Sequence, residues 1–241
     1  NNKTEYEYFK NLNLDLVIIV AYGMIIPKEF LSLSKEGFIN LHASILPKWR
    51  GAAPIQRSIM NKDKETGISV MKINEKLDEG GISHIFKINI EKNENSQTLS
   101  DKLSNLASKK ISEIIDSIMD KEVKFKPQDH SQATYAKKIK KTEGLIDWNE
   151  KAEDIIGKIN GLYPYPGVFF IFRGERYKIL KAQISFSKNQ PGKVLSNDLE
   201  ISCGENSIKV LNIQREGKKP QKINEFMLGS QIQTGTYLLD V

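Results

Sequence analysis

Residues 38–57 read FINLHASILPKWRGAAPIQR. The stretch opens on a short apolar strand, Phe38-Ile39-Asn40-Leu41-His42. Side chains two apart on an extended backbone share a face, so Asn40 and His42 point the same way. Both carry groups able to bind a developing oxyanion. Pro47, Gly51 and Pro54 then turn the chain, which puts the pair at the mouth of a loop. Open α/β sheets keep their chemistry at strand ends of this kind. On the Asn-x-His pair alone, a strand whose polar residues cap a turn is the simpler reading. The words that follow in the chain reverse it.

Outward from this stretch, Asp15–Ala21 (DLVIIVA) is a continuous β-branched apolar run, suited to a strand buried on both faces of a parallel sheet. Tyr22-Gly23 breaks it, and Pro27 opens a helix-like segment over 28–32. Ala52–Asn61 reads as a helix. Thr66–Ile73 and Ile82–Ile90 read as strands with partial alternation. Thr98 is expected to cap a long helix in which Leu99, Leu103, Leu106, Ile111, Ile114, Ile115 and Ile118 form one apolar stripe. That stripe is expected to serve as core packing only. Lys124–Thr142 has weak apolar periodicity and clustered lysines, and reads as a linker. Glu150–Asn160 reads as a helix, and Tyr163–Gly167 (YPYPG) as a rigid turn. Short strands follow over 168–173, 177–187, 193–196, 200–203 and 207–214, a spacing that suggests a small barrel.

At 241 residues the chain holds one large or two small domains. No apolar run is long enough to span a bilayer, so no membrane association is expected. The one cysteine, Cys203, and the three scattered histidines have no metal-ligand spacing, so no metal is expected. A reducing cytoplasm fits. Residues 1–123 carry 17 Lys+Arg against 17 Asp+Glu, whereas residues 124–241 carry 19 against 13 and account for the whole net charge of +6. A basic second half fits a polyanionic partner and a solvated lysine-rich surface about equally.

Three quoted segments carry a resemblance: Ser44-Ile45-Leu46-Pro47, Trp49-Arg50-Gly51-Ala52-Ala53-Pro54-Ile55-Gln56-Arg57, and Leu77-Asp78-Glu79-Gly80. Together with the Asn40…His42 pair they resemble the folate-dependent formyltransferases. The WRGAAPIQR loop is similar to the branch acting on methionyl-tRNA, and the likeness continues through 139–168 into the C-terminal half. The resemblance implies an α/β architecture. A Rossmann-like catalytic sheet would occupy 1–123, followed by a basic linker over 124–142 and a small OB-like β-barrel for tRNA over 143–241. The family opens with a further strand–helix–strand unit that nothing here matches, so an N-terminally incomplete sheet is expected.

The implied reaction moves a formyl group from 10-formyltetrahydrofolate, the co-substrate, to the α-amino group of initiator methionyl-tRNA. The resemblance assigns catalysis to Asn40, His42 and Asp78. It assigns the folate to Ser44, Ile45, Leu46 and Pro47 and, by position, to Ala21, Tyr22, Gly23 and Met24, although a core-filling turn fits the AYGMIIP loop nearly as well. Arg50 either meets the folate tail or the tRNA acceptor end, or holds its loop through a carboxylate. Lys137, Lys138, Lys140 and Lys141 are placed to meet tRNA. A monomer is expected.

Three other readings compete. A formyltransferase acting on an amino sugar or small amine would need neither the WRGAAPIQR loop nor a basic half. A non-catalytic RNA-binding module would not need the aligned Asn40, His42 and Asp78. A nicotinamide enzyme should carry G-x-G-x-x-G between a strand and a helix, and the sequence has none.

Overall fold

A computed structural model describes residues 2–238. The chain divides into two units. The first takes the residues up to Arg57 together with Lys64–Ile90 and Leu99–Lys138. The second takes Ser58–Asp63, Glu91–Thr98 and the residues from Ile139 on.

The first unit begins with helix α1 (Asn2–Asn11), then strands β1 (Val17–Ile19), β2 (Phe38–His42) and β3 (Arg50–Gly51). Helix α2 (Pro54–Met60), strands β4 (Glu65–Lys72) and β5 (Ile82–Asn89), helix α3 (Ser96–Met119) and strand β6 (Tyr135–Ala136) follow. The main sheet has the order β1-β2-β4-β5. β1 runs parallel to β2, while β4 and β5 are antiparallel to their neighbours, so the sheet is mixed. β2 and β4 lie inside it, and Ile39, Val70 and Met71 are at most 1 % exposed. Burying a side chain of this size is worth roughly 1.5–3 kcal/mol.

Three expectations change here, and one helix is new. β1 lies at the sheet edge and its three residues are only half-buried, because a single neighbour covers it. The cap of α3 is Asn95: its Oδ1 accepts from Thr98 N–H at 3.0 Å, and Thr98 Oγ1 accepts from Asn95 N–H at 3.1 Å. Thr98 therefore stands in the first turn, as the returning half of a reciprocal cap. Residues 124–138, expected to be linker, pack into the first unit, with β6 pairing in parallel with β3. Helix α1, not foreseen, seats Tyr6 and Phe9 edge-on against Phe30 at 5.5 and 5.7 Å; their three-residue spacing was its signal.

The second unit contains helix α4 (Ala152–Gly161), strands β7 (Val168–Phe172), β8 (Glu175–Ser185), β9 (Glu200–Ser202), β10 (Ser207–Arg215) and β11 (Gln221–Lys222), and the short helix α5 (Ile223–Met227). Its sheet is antiparallel, in the order β11-β10-β8-β7, with β9 also on β10. Ile155 and Ile159 of α4 join Phe170, Ile179, Ile208 and Ile213 of the strands in one core. Within it Phe170 stacks on Tyr177 at 5.4 Å and meets the tilted ring of Trp148 at 5.9 Å. Among the described residues no ladder joins β7 to β9 or β11, so the five strands form an open sheet where a barrel was expected. The two short strands share one edge of β10, which leaves β7 paired only with β8 and, by a single bridge, with Leu145. No described helix is long and apolar enough to cross a membrane.

Candidate active site

β2 delivers Asn40 and His42 to one wall of a cavity of about 820 Å3 in the first unit. The loop after β4 brings Asp78 to the same cavity, and the exposed loop after β1 lines it with Ala21, Tyr22, Gly23 and Met24. Met24 and Ile25 are 71 % and 80 % exposed, so this loop offers apolar side chains to the cavity instead of filling a core. Leu103 and Ile111 of α3 also line it, so the stripe expected to be core alone has a second role. The walls are thus largely apolar, with polar residues such as Asn40, His42, Asp78 and Ser104 among them, which suits a ring system carrying a reactive end.

The geometry around His42 is specific. The ring is 5 % exposed. Its Nε2 lies 2.9 Å from the Trp49 carbonyl oxygen. A carbonyl only accepts, so Nε2 carries the ring proton. The other nitrogen, Nδ1, faces Asp78 Oδ2 at 3.6 Å, an ion-pair distance too long for a hydrogen bond. Nδ1 is therefore the nitrogen left for chemistry. Asp78 Oδ2 also accepts from the Gly51 N–H at 2.8 Å. Gly51, at φ +114°, lies so close to β6 that a Cβ there would stand 2.8 Å from the Ala136 carbonyl oxygen.

Arg50 is not free to meet a ligand. It is 1 % exposed, and its Nε and Nη2 donate to Gln128 Oε1 at 3.1 and 2.7 Å. Nη2 also donates to His130 Nδ1 at 3.2 Å, and Nη1 lies 3.5 Å from Glu79. Of the readings left open for Arg50, the geometry matches the one in which it holds its loop through a carboxylate. A guanidinium so enclosed has no surface for a phosphate.

Ser44, Ile45, Leu46 and Pro47 lie outside the cavity lining. Ser44 is fully buried, its hydroxyl donating to the Lys48 carbonyl at 2.6 Å. Ser69 Oγ bridges the turn, donating to Ser44 O at 2.7 Å and accepting from Leu46 N–H at 3.0 Å. The four residues form a pinned turn, with Ile45 and Pro47 half-buried.

Lys137, Lys138, Lys140 and Lys141 are all exposed. The Lys137 backbone carbonyl accepts from Arg57 Nη2 at 3.0 Å. Gln128, which no sequence pattern singled out, is 7 % exposed and donates to the carbonyls of Asp78 and Gly80, both at 2.8 Å. Among the described residues no cluster of His, Cys, Asp and Glu could hold a metal ion.

Residues 2–115 match the family described as Formyl transferase, and residues 138–231 match the Formyl transferase, C-terminal domain. The chain is 64 % identical over 241 residues to the methionyl-tRNA formyltransferase of Pelagibacter ubique, covering 100 % of this chain and 78 % of that protein. It is 40 % identical over 242 residues to the methionyl-tRNA formyltransferase of Caldanaerobacter subterraneus, covering 99 % and 78 %. Among solved structures, HypX from Aquifex aeolicus in complex with tetrahydrofolic acid is similar with a TM-score of 0.70 at 15 % identity, over 95 % of this chain and 41 % of that one. At that identity the likeness is one of fold.

Proposed function

The chain belongs to the methionyl-tRNA formyltransferase family, and from that premise we propose that it transfers a formyl group from 10-formyltetrahydrofolate to the α-amino group of initiator methionyl-tRNA. The observation that carries the reading is the His42 Nδ1–Asp78 pair at 3.6 Å, set with Asn40 on a largely apolar cavity of about 820 Å3. Folate in that cavity is supported by its walls and by the tetrahydrofolic acid in the HypX complex. Ala21 to Met24 then flank the donor.

In this mechanism the amine attacks as the neutral base, and an α-amino pKa near roughly 8 leaves an adequate neutral fraction. A carbon–nitrogen bond forms, and the carbonyl oxygen becomes an oxyanion. The Asn40 carboxamide donates to it. His42 Nδ1 faces the reacting centre while Trp49 holds the far side of the ring. With a proton on Nδ1 the ring is a second donor to that oxygen, the Asp78 carboxylate stands beside it, and the pair carries the proton leaving the amine. The bond from carbon to folate N10 breaks as that proton reaches N10, releasing tetrahydrofolate.

The exposed lysines 137, 138, 140 and 141 contact tRNA phosphates in this reading, and the antiparallel sheet of the second unit supplies further tRNA surface. A monomeric cytoplasmic enzyme is consistent with this role. The test is an acceptor panel with 10-formyltetrahydrofolate as donor. Turnover is expected with methionyl-tRNA and not with free amino sugars or small amines. Preference for an amino sugar would sink the assignment.

A further inference from the structure

We infer that Gln128 is a positioning residue for this reaction: it holds Asp78 in the backbone turn that brings its carboxylate to His42 and Gly51. The inference rests on the formyl-transfer reading.

Asp78 sits at φ +52°, in the left-handed region. Aspartate enters that region more readily than most residues, but at a cost in energy that contacts holding the turn offset. The side chain is fixed by the Gly51 N–H, which donates to Oδ2 at 2.8 Å. The backbone is fixed by Gln128 Nε2, which donates to the Asp78 carbonyl at 2.8 Å and to the Gly80 carbonyl at 2.8 Å. A carboxamide nitrogen has two N–H donors, and both are used. Its oxygen has two lone pairs, and both accept from Arg50, at 3.1 and 2.7 Å.

Every hydrogen-bonding position of Gln128 is therefore occupied, and its orientation has one solution. A flipped amide would set its NH2 against a guanidinium and its oxygen against two carbonyls. Arg50 is in turn held by Glu79 and His130. Gly80 closes the loop against β4, since a Cβ there would lie 1.7 Å from the Lys72 carbonyl oxygen. A chain of bonds thus runs from a buried cation through Gln128 to the backbone of Asp78.

The competing view is that Gln128 only anchors its own segment. Gln128→Glu separates the two in the full chain. It keeps the volume and the acceptor for Arg50, but turns a lone pair toward the Asp78 and Gly80 carbonyls. The Gly51 amide reports on Asp78, whereas the neighbouring Ala52 amide, bonded to the Ala136 carbonyl at 2.9 Å, reports on the β3–β6 pairing. We expect Gly51 to exchange at least about tenfold faster by NMR, with Ala52 within about threefold of wild type. We also expect kcat to fall about 100-fold with both KM values within about threefold, the size of effect produced by a displacement near 1 Å. In the Asp78→Asn background Gln128→Glu should cost almost nothing further, because the two act as a unit.

Unchanged Gly51 exchange and kcat would overturn the inference. So would faster exchange at both amides together, which marks a purely structural role. Should Gln128→Glu not fold, Gln128→Met is read by the same pair of amides. A wild-type chain with no formyl transfer would instead defeat the functional reading, while the amide comparison still decides whether Gln128 holds Asp78.

Discussion

The Trp49 carbonyl decides which nitrogen of His42 is protonated, because a carbonyl oxygen 2.9 Å from Nε2 can only accept. In the proposed mechanism the working groups are Nδ1 beside Asp78 and the carboxamide of Asn40. If both donors serve one oxyanion, Asn40→Ala and His42→Ala should each lower kcat by roughly 10²–10³, and the double variant by clearly less than the product. Additive losses in a kinetic cycle would separate their roles. Asp78→Asn keeps an oxygen to accept from the Gly51 N–H, so it should fold and melt like wild type. It loses the charge beside Nδ1, so kcat should drop at least about 100-fold. Calorimetry and steady-state rates together check this, and near wild-type turnover with an unchanged pH profile would remove Asp78 from the mechanism.

Strand geometry puts Asn40 and His42 on one face, but only the segments that follow them in the chain mark the pair as a candidate site. Asp78 was legible only through the Leu77–Gly80 match. Gln128 was not legible at all: it lies 50 residues from Asp78, in a stretch without periodicity, and long-range side-chain pairing leaves no local pattern. Arg50 showed its charge but not its burial, since nothing nearby in sequence reveals that Gln128 and His130 close around it.

At the scale of elements, β2 could be read to the residue because it is short, apolar and ended by turn residues. β1 could not be placed, since an apolar run looks the same at a sheet edge and in its centre. The open sheet of the second unit was expected to close, because strand spacing says nothing about whether the last strand meets the first.

Two predictions belong here. Cys203, just after β9, is 3 % exposed, and burial pushes its thiol up to about 12. The thiolate is the reactive form, so iodoacetamide at pH 8 should label it no faster than the sheet opens. Labelling at the rate of a free thiol would contradict the packing. The exposed lysines between Tyr135 and Gly144 should act together. Neutralising Lys137, Lys138, Lys140 and Lys141 is expected to weaken methionyl-tRNA binding and flatten its salt dependence by about 0.7–0.9 for each phosphate no longer neutralised. Turnover at saturating tRNA should hardly change. Superimposable binding slopes would place the tRNA elsewhere.

For the whole molecule, the division of the chain does not follow the sequence order. The short segments 58–63 and 91–98 group with the C-terminal residues. There Lys62 pairs with Asp154 at 2.5 Å, and Ser96 Oγ donates to the Gly161 carbonyl at 2.5 Å. The charge follows a simpler rule, since residues 1–123 are neutral and residues 124–241 carry the excess of +6. The proposed reaction needs an apolar donor site and a polyanionic acceptor at the same time. A single-turnover transfer from 10-formyltetrahydrofolate labelled in the formyl carbon tests that reaction most directly. The account predicts that label appears on the α-amino group of methionyl-tRNA with the wild-type chain, and at least about 100-fold more slowly with Asp78→Asn. Label that stays on the folate, or that reaches the tRNA equally fast with both proteins, would contradict it.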